Sequence, residues 1–136
     1  MIVEKEYESG DWIIGSAGTW TKNGLSAAPI AMQIANQLGL KSLEKHITRQ
    51  IDHELLGQYS LIIVMEINQK EAILSEFPSV EGRIFLLSEL ATGLQYDIPD
   101  PAHPVNSPQD VGREIKVLIA RGKKRIVELA ESLKAI

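Results

Sequence analysis

Three short stretches of the 136-residue chain combine residue types that could do chemistry. The first, Gly15-Ser16-Ala17-Gly18-Thr19-Trp20, follows an apolar run. Small residues at such a point let backbone approach a ligand closely, at the edge where open α/β sheets bind ligands. Its spacing fits neither the Walker phosphate loop nor the dinucleotide glycine pattern, and by itself it is more often a plain strand-to-loop turn. The second is His46-Ile47-Thr48-Arg49-Gln50. With His53 and His103, His46 forms no metal-ligand spacing, so no metal is expected and a hydrogen-bonded structural imidazole is the plain reading. The third is Asp97-Ile98-Pro99-Asp100-Pro101, where prolines stiffen the backbone around Asp100 and present its carboxylate from a rigid loop. An aspartyl carboxyl ordinarily titrates near ~3.9, so proton donation at neutral pH requires a cleft that keeps it protonated. The same residues are also good turn formers. Asp100 is the carboxylate that stands out here, with Asp97 second, and a plain turn is the commoner reading of the stretch by itself.

The elements that must position these stretches read as an α/β protein. Trp12-Ile13-Ile14, Leu61-Ile62-Ile63-Val64-Met65 and Arg83-Ile84-Phe85-Leu86-Leu87 are apolar without clean alternation, as parallel strands covered on both faces should be. Helices separate them. Ile30, Ala31, Ile34, Ala35 and Leu38 form one stripe over 28–38, with Gly39 as its stop. Asn68 with Glu71 predicts a capping box for a second helix, which Phe77-Pro78 closes. Val111, Ile115, Leu118, Ile119, Ile126, Leu129, Ala130 and Leu133 predict a long C-terminal helix, with Gly122 a point where it bends or weakens. The whole is expected to be a single domain over 1–136, three-layer α/β/α with a parallel sheet.

Composition excludes several classes. The chain has no cysteine, hence no disulfide, thiolate metal site or redox pair. The formal charge of −4 disfavours nucleic acid as a partner. Arg113, Lys116, Arg121, Lys123, Lys124 and Arg125 are basic but carry no interleaved aromatics, and read as a solvated helix face. No run is long enough to cross a bilayer, and the acidic Met1–Glu8 is no secretory signal, so the expectation is a cytoplasmic protein without membrane partners.

Taken in order, Ser16-Ala17-Gly18-Thr19, His46-x-x-Arg49 and Asp97-Ile98-Pro99-Asp100-Pro101 resemble the later motifs of the low-molecular-weight protein tyrosine phosphatases. The resemblance covers essentially the whole chain. It implies the phosphotyrosine phosphatase fold, no cofactor, and phosphomonoester hydrolysis of a phosphorylated protein or small phosphate ester. It further implies that Asp100 protonates the leaving oxygen and then serves as base. Ser16 and His46, with Arg49, would brace the phosphate loop, and Trp20 would stand on the cleft wall. After Asp100-Pro101 the family usually has an aromatic and glycines, where this chain has Ala102-His103-Pro104, which leaves the ring-binding wall unassigned.

The family's nucleophile is the cysteine of a Cys-x5-Arg loop, which would precede Ser16 together with the first strand; this chain holds neither. Met1–Ser9 resembles the tail of the family's first helix. The expectation is therefore an N-terminally truncated phosphatase domain, inactive as it stands. The alternatives are a pseudophosphatase module that oligomerises and a relative of arsenate reductases. A homodimer is expected, because a sheet lacking a central strand exposes pairing edges that a second chain can fill.

Overall fold

The structure is a computed structural model and describes residues 49–99 and 108–134, together with Ala17, Gln33, Asn36 and Gln37. Asp52 opens α1 (His53–Gly57), its Oδ1 accepting from the Leu55 N–H at 2.7 Å. There follow β1 (Ile62–Val64), α2 (Ile67–Glu76), a 3₁₀ turn at Pro78–Val80, β2 (Ile84–Leu86), α3 (Leu87–Thr92) and α4 (Pro108–Lys134). β1 and β2 pair in parallel, with Ile62 opposite Ile84 and Val64 opposite Leu86.

Side chains alternate across a strand, and here both faces are covered. Ile62 and Val64 pack with Ile84 and Leu86 against Ile73 of α2, Phe77 just past its end and Leu56 of α1. Ile63 and Met65 turn the other way, onto a second cluster of Leu87, Ile98, Val111, Ile115 and Leu118. Helices on both sides of a parallel sheet make the layered α/β arrangement that the apolar runs predict. The strand expected at 12–14 lies outside the described residues, as does most of the helix expected over 28–38. Gln33, Asn36 and Gln37 of that segment are helical and exposed, as its polar side should be.

Two boundaries differ from expectation. The second helix starts at Ile67, not Asn68, and its capping side chain is Gln69, not Glu71. Gln69 Oε1 accepts from the N–H groups of Met65 and Glu66, each at 3.2 Å. The third apolar run ends as a strand at Leu86, and Leu87 already opens α3. Glu89 makes that turn without glycine or proline, its Oε1 accepting from the Leu86 N–H at 2.7 Å. Neither α1 nor α3 was expected from the sequence, since five and six residues are too short to show a helical period.

α4 runs for 27 residues and buries Val111, Ile115, Leu118 and Ala130 of the predicted stripe. Gly122 is buried on the same side, and its role differs from a point of weakness. A Cβ built there would lie 3.2 Å from Ala91 Cα, so glycine allows α3 and α4 to meet backbone to backbone. No helix among the described residues is long and apolar enough to cross a membrane.

Candidate functional site

Ligands of parallel α/β sheets gather beyond the carboxyl ends of the strands. Here three segments meet at that edge: the step from β1 into α2, the step from β2 into α3, and residues 94–99, which lead to Asp100. The last of these has no regular secondary structure, yet it is tied down at three consecutive residues, two by backbone and one by side chain. Ser88 Oγ donates to the Tyr96 carbonyl at 2.8 Å and accepts from the Tyr96 N–H at 3.2 Å. Asp97 Oδ1 accepts from the Ile67 N–H at 2.7 Å, capping α2 from thirty residues away. The Ile98 N–H donates to the Met65 carbonyl at 2.9 Å, and the Ile98 side chain is 1% exposed within the second cluster.

A fourth tie runs through Glu89. Besides the Leu86 N–H, its carboxylate receives Lys70 Nζ at 3.2 Å and the Gln95 amide at 3.0 Å. Burial pushes the Glu89 carboxyl up. The Leu86 N–H, the Gln95 amide and Lys70 outweigh that and hold it below its ordinary value of 4.5. A carboxylate held low in the fold contributes stability above its unfolded pKa and loses it as pH falls through the folded pKa. The stability advantage of the native chain over Glu89→Gln should therefore shrink as pH falls below the ordinary value of 4.5. Urea melts across that window check this; a pH-independent difference would refute it.

Of the site candidates, Arg49 is described. It is half-buried, and its Nη2 donates to Tyr59 Oη at 3.4 Å, which ties the segment before α1 to the segment after it. Ser16, Trp20, His46 and Asp100 lie outside the described residues. Asp97, the second acid candidate, has one carboxylate oxygen engaged as the α2 cap. Ser88, Glu89, Gln69 and Gln95, which shape this edge, were not singled out from the sequence. A polar Ser-Glu pair directly after the apolar run 84–87 was the available signal. The arrangement holds residues 96–98 against the starts of α2 and α3 at the carboxyl edge of the strands.

The comparisons with known proteins agree. The family model for low molecular weight phosphotyrosine protein phosphatase matches residues 6–135. The low molecular weight protein-tyrosine-phosphatase Wzb of Escherichia coli is 34% identical over 88 residues, which are 65% of this chain and 58% of that protein. The chain thus spans less than two thirds of the length of such tyrosine-phosphatase relatives. A protein-arginine-phosphatase of Geobacillus stearothermophilus is 25% identical over 109 residues, 79% of this chain and 72% of that protein. The solved structure of the YwlE arginine phosphatase from the same organism superposes with a TM-score of 0.75 at 25% identity, covering 86% of this chain and 76% of that one. A low molecular weight protein tyrosine phosphatase from T. tengcongensis gives the same TM-score of 0.75 at 24% identity and so shares the fold. With a family model matching nearly end to end and a parallel sheet and helices that superpose on a solved relative, this chain belongs to the low molecular weight phosphotyrosine protein phosphatase family.

Proposed function

We propose that this chain carries the proton-transfer side of a phosphatase site, with Asp100 as general acid and base, and that the 136 residues by themselves hydrolyse no phosphomonoester. The observation that supports this most is the pinned 96–98 segment, which directly precedes Pro99-Asp100 in sequence, on a polypeptide without cysteine. Attack on phosphorus in this family's chemistry needs a thiolate, and a positioned carboxyl alone only protonates the leaving oxygen or activates water. Ser16, His46 and Arg49 are read as braces of a phosphate loop, and Trp20 as cleft wall. With that loop supplied, the substrate class is a phosphorylated protein or small phosphate ester, as the tyrosine-phosphatase relatives suggest.

Incubation with para-nitrophenyl phosphate should give no hydrolysis above background, and turnover would overturn the inactivity reading. Asp100 has its own test. A chimera carrying a Cys-x5-Arg loop ahead of residue 1 should gain activity, and Asp100→Asn should then lower kcat by about 10²–10⁴-fold. An unchanged kcat would remove Asp100 from the role.

The second reading is a cytoplasmic pseudophosphatase module that self-associates. Leu94 and Val117 support it as large apolar side chains left 68% and 62% exposed. A homodimer is expected by light scattering at micromolar concentration, and a monomer of 15.0 kDa would refute it.

A further inference from the structure

An open groove of about 630 Å³ runs along the line where the end of α3 meets the middle of α4. Thr92 and Gly93 line one wall, and Arg121, Lys124, Arg125 and Glu128 the other. Its floor is set by the close approach of Gly122 to Ala91, which holds the two walls at a fixed spacing. The three cations stand at i, i+3 and i+4, so they share one side of the helix.

These cations are chemically unspent. Elsewhere among the described residues the basic side chains bond within the fold: Lys70 to Glu89, Arg83 to the carbonyls of Leu56 and Tyr59, Arg113 to Asp110. Arg121, Lys124 and Arg125 make no hydrogen bond or ion pair there. They form a positive strip on a chain whose formal charge is −4, so an acidic partner is repelled by the average surface and attracted here.

The opposite wall selects among acidic partners. The last bond of α3 runs from the Gly93 N–H to the Glu89 carbonyl, and the Leu94 N–H is taken by Thr92 Oγ1 at 3.1 Å. The carbonyls of Leu90, Ala91 and Thr92 therefore lie past the last helical bond as acceptors. A groove with three cations beside the single carboxylate of Glu128 on one side and the carbonyl end of α3 on the other suits a ligand that brings both carboxylates and N–H groups. Inorganic phosphate brings no backbone donors. A nucleic-acid strand would find no aromatic side chain here on which to stack a base. We propose that this groove docks an acidic peptide segment of a protein partner, its Asp or Glu side chains on Arg121, Lys124 and Arg125 and its backbone N–H groups on the end of α3. Residues 121–128 span about 10 Å of helix, room for about three extended residues.

The test uses a fluorescein-labelled hexaglutamate peptide and the unaltered chain, read by anisotropy and by amide chemical-shift mapping. Binding is expected at about 20 mM salt and should weaken several-fold by about 200 mM. Shifts should concentrate at Thr92, Gly93 and residues 121–128. Arg121→Glu with Arg125→Glu should lose about tenfold or more in affinity. Lys116→Glu with Lys123→Glu, the same charge change elsewhere on the helix, should stay within about twofold of wild type. Equal losses in both double variants would overturn the proposal, as would shifts lying away from the groove. Tighter binding of a single-stranded oligonucleotide than of the peptide would assign the strip to nucleic acid instead, and equal competition by inorganic phosphate would reduce it to a simple anion site.

Discussion

Ile98→Ala is expected to destabilise the fold by about 2–5 kcal/mol, a large effect for a residue in a segment with no helix or strand. Its side chain is 1% exposed among Leu87, Val111, Ile115 and Leu118, so truncation loses transfer free energy and leaves a cavity. Collapse into that cavity is resisted, because α3 and α4 already touch through Gly122 and Ala91. The cost should therefore fall in the upper part of the range. Ile98→Val, which removes one methylene, should cost about 0.5–1.5 kcal/mol. Urea denaturation measures both. In the alanine variant the Ile98 and Ile67 amides should also exchange faster, because their acceptors Met65 and Asp97 sit on either side of the loosened contact. A loss below about 1 kcal/mol would show that hydrogen bonds alone hold the 96–98 segment.

Gly122→Val is expected to destabilise the fold by about 1–3 kcal/mol through overpacking. The atoms a new Cβ would meet are Ala91 Cα at 3.2 Å, Ala91 N at 3.3 Å and Leu90 C at 3.4 Å. All are backbone and cannot rotate away, so α3 must shift and carry Ser88 and Glu89 with it. Gly122→Ala sets two effects against each other. The tight contact opposes a helix-propensity gain of about 0.8–1 kcal/mol, and the net should be small. Thermal melts of both variants decide it: a valine variant as stable as the native chain would mean the two helices have room to spare.

Gly122 shows why part of this fold was legible in sequence and part was not. The stripe from Val111 to Leu133 announces α4, because a 3.6-residue period is a property of neighbouring positions. What the glycine in that stripe does depends on Ala91, thirty-one positions away, and no local rule connects the two. The same holds for the start of α2. Asn68 with Glu71 has the right local spacing, but Gln69 reaches back to Met65 and Glu66, and Asp97 caps Ile67 from across the sheet edge. At the end of β2, Leu87 looks like one more residue of an apolar strand. It starts a helix because Glu89 bonds back to the Leu86 N–H, a choice the apolar pattern cannot register.

What the sequence determined by itself were the features carried by residue type and near-neighbour spacing. These were two parallel strands buried on both faces, the long amphipathic helix, the stiff proline-flanked aspartate and the absence of a cysteine nucleophile. Tertiary structure alone decided how residues 96–98, just before that aspartate, are held. Ser88, Asp97, Ile98 and Met65 are brought together by the parallel crossover from β1 to β2 and the return of the chain across the same edge. It also turned a run of basic residues, unremarkable as a string, into a groove with donors on one wall and acceptors on the other. Hydrogen bonds and close contacts between distant residues depend on where elements pack, and packing is a property of the whole chain.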